Sequence, residues 1–89
     1  NVTQYAILVH MFAQVSNLEV GEFIHVIADA HIYDRHIPIV EQLIERETFP
    51  APKLLINKEI KDFYDFKVED FVLENYQHGE SINRIPVAI

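Results

Sequence analysis

Cysteine is absent from the 89 residues. That excludes disulfides, zinc–cysteine sites and a cysteine nucleophile within this stretch, and it leaves the redox compartment open. Glycine occurs only twice. A glycine-rich phosphate loop is therefore excluded. Positive charge is scarce: 7 Lys and Arg stand against 14 Asp and Glu, for a formal net charge of -7. A balance of this sign argues against nonspecific nucleic-acid binding, which needs a basic surface, and no DNA or RNA partner is expected. No apolar run reaches the length of about 18 residues that a membrane-spanning helix requires, and no membrane partner is expected. There is no signal-peptide layout, because Gln4, His10 and Gln14 interrupt the first apolar segment.

What is present is a globular composition, 49% hydrophobic and 24% charged. At this length burial is marginal, so help from a partner surface or from further chain is expected. The opening "NVTQYAILVH" has no Met and runs directly into an apolar segment. It reads as a piece of a longer protein whose N-terminal part is missing.

Residues 1–21 are predicted to form a helix. Asn1 or Thr3 supplies a cap at the start, and Asn17 and Gly21 end it. Apolar residues cover nearly its whole circumference, which predicts a buried helix. "EFIHVIADAHIYD", residues 22–34, reads as a strand. Alternation puts Ile24, Val26, Ala28, Ala30 and Ile32 on one face. Phe23, His25, Ile27, Asp29, His31 and Tyr33 occupy the other. "HIPIVEQLIERE" is predicted to be a short amphipathic helix with Pro38 in its first turn. "KLLINKEI" and "FVLENY" read as strands, joined by a charged linker with room for one helical turn. "HGESINRIPVAI" has no period and reads as an ordered or ligand-dependent tail.

The alternating Asp29, His31 and Tyr33 admit two readings. One is a sheet face whose polar side chains meet water. The other is a ligand-facing strand, with polar groups suited to a sugar hydroxyl. A metal is not expected. On a strand His25 and His31 stand roughly 20 Å apart, too far to share one ion, and no H-E-x-x-H is present. His10 reads as a core or interface histidine and His78 as a turn residue. Glu69 and Asp70 read as a solvated helix start rather than acid–base machinery.

Taken together, "NVTQYAILVHMFAQ", "LEVGEFIHVIADAHIYDRH", "QLIERE", "PAPKL", "DFKVEDFVLENY" and the terminal "PVAI" resemble the C-terminal portion of thymidylate synthases along essentially the full chain. The resemblance implies an α+β fold with a bent mixed β-sheet flanked by helices. Residues 1–89 would be one segment of a single catalytic domain, in a cytoplasmic homodimer formed through the sheet. It also implies deoxyuridine monophosphate as substrate and methylene-tetrahydrofolate as co-substrate, with thymidylate and dihydrofolate as products. Asn1 matches the family's asparagine that reads the uracil edge. His31 and Tyr33 match the pair that holds the 3′-hydroxyl, with Asp29 in support. Ala88 and Ile89 match the end of the chain that closes over the folate.

The family's nucleophilic cysteine and phosphate-binding arginines would lie upstream, so this stretch alone is not expected to be active. Ala28 stands where many members have glycine, and "ERETFPAP" and "YQHGESINRIPVAI" depart from the commoner strings. A pyrimidine hydroxymethylase of the same fold and a non-catalytic dimerising paralogue are the alternatives. Asn1 favours uracil, since the related cytidylate hydroxymethylases carry Asp there.

Overall fold

The computed structural model describes residues 1–87. Helix α1 spans Val2–Val15 and helix α2 spans Ile37–Ile44. Strands β1 (Lys53–Ile56) and β2 (Phe71–Glu74) pair antiparallel, with Leu54 opposite Leu73 and Leu55 opposite Val72. Three 3-10 turns complete the elements: Asp34–His36 leads into α2, and Phe63–Asp65 and Val68–Asp70 lie between the strands. Helices beside an antiparallel pair make this an α+β chain.

Helix α1 is shorter than the predicted 1–21 because a complete C-terminal cap stops it. The N–H of Leu18 donates to the carbonyl of Ala13 at 2.8 Å, and that of Asn17 to Gln14 at 3.2 Å. Asn17 has φ 56°, so these two bonds form a Schellman motif with asparagine in the left-handed position. At the other end Asn1 is the N-cap, but its side chain makes no capping bond. Its backbone carbonyl accepts from Tyr5 at 3.1 Å. That is the ordinary first bond of the helix; the expected side-chain cap is not formed, and the amide is not spent on the helix.

The expectation of a buried α1 is not met. The helix carries no buried residue, and Phe12 is 55% exposed. Within this chain there is too little structure to cover a helix that is apolar all round. The same holds throughout: no described residue is buried. The accessible surface is 8212 Å², against about 5,400 Å² for a compact monomer of this mass. The radius of gyration is 16.9 Å, against about 12 Å for a compact chain of this length. These 89 residues are shaped as one side of something larger.

The predicted strand over 22–34 is not formed. Residues 21–27 belong to no helix or strand, and the chain turns at Ala28 and Asp29. Among the described residues no backbone–backbone bond engages 19–32. A strand needs a neighbour to accept and donate its ladder bonds, and β1 and β2 pair only with each other. The turn also breaks the two-residue period, so the two alternating faces do not run continuously past Ala28.

The hairpin and α1 are tied by side chains. Gln14 Nε2 donates to the carbonyls of Asn57 at 2.9 Å and Ile60 at 3.0 Å. Phe12 stacks on Phe63 with ring centroids 4.8 Å apart. Between helix and hairpin lies an apolar groove of about 560 Å³, lined by Ile7, Met11, Leu54, Phe66, Phe71 and Leu73 among others.

Candidate functional site

The turn at Ala28–Asp29 is followed by four residues that lead into the 3-10 turn Asp34–His36. This brings Asp29, His31 and Tyr33 together on a short exposed path. His31 Nδ1 lies 3.1 Å from the backbone carbonyl of Asp29. A carbonyl can only accept, so Nδ1 is the nitrogen that carries the hydrogen. In the neutral ring Nε2 is then left as an acceptor. The carboxylate of Asp29 stands 3.7 Å from the same Nδ1, and it is 94% exposed. At that exposure the ion pair adds little, and the carbonyl sets the ring.

Tyr33 packs edge-on against His31, with ring centroids 5.0 Å apart and planes at 82°. Its other neighbour is His36, at 5.6 Å and 90°. Tyr33 therefore packs against two imidazoles, each near-perpendicular to it, a favoured geometry for aromatic pairs. Its phenol can donate while His31 Nε2 accepts. One donor and one acceptor together match the hydrogen-bonding demand of a single hydroxyl group.

Asn1 is exposed at the head of α1. No contact in this structure joins it to His31 or Tyr33. Ala88 and Ile89 lie outside the described residues. Among the described residues no group of three His, Asp or Glu side chains is placed to hold a metal ion. No helix of the described residues is long and apolar enough to cross a membrane.

Two residues near the site were not found by sequence reasoning. Neither His36 nor Arg35 was given a role there. His36 Nε2 lies 2.6 Å from the carbonyl of Pro86, and Arg35 Nη1 lies 3.4 Å from that of Val87. Both contacts join positions about 50 apart in the chain, which no local pattern signals.

Fold and site together define an α+β chain with a histidine–tyrosine pair exposed beside a tail led back to it. The family comparison makes this specific. The thymidylate synthase family model matches residues 1–89, and the chain belongs to that family. It is 53% identical over 83 residues to thymidylate synthase of Bacillus mojavensis, covering 93% of this chain and 30% of that protein. It is 52% identical over 82 residues to thymidylate synthase of Bacillus phage phi3T, covering 92% and 29%. In structure it is similar to the thermostable thymidylate synthase A of Bacillus subtilis, with a TM-score of 0.92 and 50% identity. That match covers 97% of this chain and 31% of the Bacillus subtilis chain. The chain thus spans about 29–36% of the length of the curated relatives it matches.

Proposed function

We propose that residues 1–89 are the C-terminal segment of a thymidylate synthase catalytic domain. The complete polypeptide converts deoxyuridine monophosphate and methylene-tetrahydrofolate into thymidylate and dihydrofolate, as a cytoplasmic homodimer formed through its sheet. The observation that carries this reading is the Asp29–His31–Tyr33 arrangement in a chain that belongs to the family. Main-chain bonding fixes the His31 tautomer, and His31 Nε2 accepts the hydrogen of the deoxyribose 3′-hydroxyl. The Tyr33 phenol donates to the same oxygen. Asp29 supports the pair through its backbone carbonyl.

Asn1 reads the uracil edge. Its amide offers an acceptor to N3–H and a donor to O4, and the capping geometry supports this role because the side chain is not committed to the helix. Ala88 and Ile89 belong to the end that closes over the folate. The folate supplies the one-carbon unit and the reducing equivalents. The thiolate that adds to C6 of the uracil, making C5 nucleophilic, comes from outside these residues, as do the groups that neutralise the phosphate. That division accords with the net charge of -7, since no anion need be neutralised by this segment.

The test is product analysis with the complete polypeptide that carries this chain. Thymidylate and dihydrofolate in equal amounts are expected from deoxyuridine monophosphate and methylene-tetrahydrofolate. Hydroxymethyl-deoxyuridylate with tetrahydrofolate would identify a hydroxymethylase instead. A polypeptide that dimerises but shows no nucleotide-dependent folate binding would identify a non-catalytic paralogue.

A further inference from the structure

The tail is tied to α2 and its leading turn at three points. Arg46, just beyond α2, donates from Nη1 to the carbonyl of Glu80 at 2.8 Å. His36 Nε2 meets the carbonyl of Pro86 at 2.6 Å, and Arg35 Nη1 that of Val87 at 3.4 Å. The tail therefore runs back along this element toward the histidine–tyrosine pair. Of the three ties, the His36 contact is the shortest. It is also the one whose side chain touches Tyr33, at 5.6 Å between ring centroids.

We infer that His36 is a positioning residue that couples sugar recognition by Tyr33 to the placement of the C-terminal tail. The inference rests on the proposed thymidylate synthase reading and names a residue to which that reading gives no role. The carbonyl of Pro86 can only accept, so Nε2 of His36 must carry a hydrogen. The imidazole then has two jobs in fixed geometry. Nε2–H holds the tail main chain, and the ring packs perpendicular to the Tyr33 ring, so a shift of either partner reaches the other through one rigid plane. His31 and His36 flank Tyr33 with opposite polarity: on His31 the hydrogen sits on Nδ1, and on His36 it sits on Nε2. One imidazole leaves an acceptor for a ligand, and the other spends its donor on the tail. The site thus reports on both substrates: the nucleotide sugar meets His31 and Tyr33, and the tail that closes over the second substrate is held by a ring that packs on Tyr33.

The experiment uses the complete polypeptide with His36→Ala and His36→Gln. Hydrogen–deuterium exchange is followed in a peptide spanning residues 80–87, alongside nucleotide affinity and steady-state kinetics. Losing one tail hydrogen bond in His36→Ala is expected to speed exchange there about five-fold. The folate KM should rise by a similar factor and kcat should fall. Nucleotide should slow exchange in this peptide in the wild type and fail to do so in His36→Ala, and a nucleotide effect that survives in His36→Ala would overturn the coupling to Tyr33. His36→Gln keeps an N–H donor and should recover most of both effects. Unchanged exchange in His36→Ala would overturn the tie to the tail. Faster exchange with unchanged folate KM and kcat would overturn the coupling. A His36→Gln variant as impaired as His36→Ala would show that the donor is not the reason. A wild-type polypeptide that forms no thymidylate would overturn the functional reading instead, and exchange would still decide whether His36 holds the tail.

Discussion

The Nδ1–H of His31 donates to the backbone carbonyl of Asp29 at 3.1 Å, so the tautomer of the ring is set by main chain two residues earlier. Tyr33 packs against that ring at 5.0 Å, and under the proposed function the two share the sugar hydroxyl. Removing the phenol while keeping the ring isolates the donor. Tyr33→Phe is expected to weaken deoxyuridine monophosphate binding about 3- to 10-fold, the range for one hydrogen bond. Calorimetric titration of the complete polypeptide measures this. The loss should vanish with the 3′-deoxy nucleotide, which has no hydroxyl to receive the bond. An equal loss with both nucleotides would show that Tyr33 acts on something other than the sugar.

Ala28 is the residue of the turn where many family members have glycine, and the structure answers the concern. The described non-glycine residues with positive φ are Asn17, Asn75 and Arg84, and Ala28 is not among them. The methyl group therefore meets no left-handed strain, and glycine has no conformational advantage here. Ala28→Gly is expected to lower stability by about 0.4–1 kcal/mol, through the greater freedom of the unfolded chain. Nucleotide affinity should stay within about two-fold. A denaturant titration and a binding isotherm check the two halves. A gain in affinity would mean that the methyl group does disturb the site.

Asp70 closes the Val68–Asp70 turn with both carboxylate oxygens. Oδ2 accepts the N–H of Lys67 at 2.8 Å, and Oδ1 accepts from Asn57 Nδ2 at 3.1 Å. The Lys67 backbone bond, then the Asn57 bond, with a smaller contribution from the Lys67 charge, hold this carboxyl below its ordinary value of 3.8. A depressed folded-state value means that its stabilising effect is fully present above the unfolded-state value. That effect is lost as pH falls through the lower, folded one. Asp70→Asn should lower the urea midpoint of the complete polypeptide near neutrality. The gap from wild type should then close as pH falls below about 4. A gap independent of pH would assign the effect to shape rather than charge.

Asn17 holds the left-handed position that ends α1, with φ 56°. Asn17→Ala puts a methyl group there without the local polar compensation, and about 1 kcal/mol of destabilisation is expected. Asn17→Gly should be neutral or stabilising. In a polypeptide of a few hundred residues the alanine variant should melt about 2–4 °C lower. Equal melting of the two variants would show that the cap does not govern this end of the helix.

What the residue pattern disclosed tracks what is local. Both helices and the helix end at Asn17 depend on neighbours within a few positions, and each was legible, with shorter bounds at most ends. The paired strands were legible from their own apolar runs, although their partners stand 15 (Ile56 to Phe71) to 21 (Lys53 to Glu74) positions away. The strand over 22–34 was misread for two physical reasons. Alternation describes which side a residue faces once a partner strand exists, and this chain supplies none. The turn at Ala28–Asp29 lacks the glycine or proline that would have signalled it. The apolar first helix was read as a buried one, and these residues do not bury it. Of the site, the His31–Tyr33 pair stood out by spacing. The ties from Arg35, His36 and Arg46 to the tail are long-range and carry no sequence signature.

The stretch around "FIHVI" has a consequence for anyone handling this segment apart from the rest of a synthase. Ile24 is 76% exposed and Val26 is 80% exposed, on main chain with unclaimed ladder groups. Exposed β-branched residues on unpaired backbone form a template for a second copy of the same stretch. In isolation the segment should self-associate through residues 22–27 rather than stay dispersed. Light scattering that grows with concentration, and is suppressed by Ile24→Lys with Val26→Lys, would be its signature. The feature that makes this region a good seat for neighbouring sheet is the same one that makes it adhesive when that neighbour is withheld.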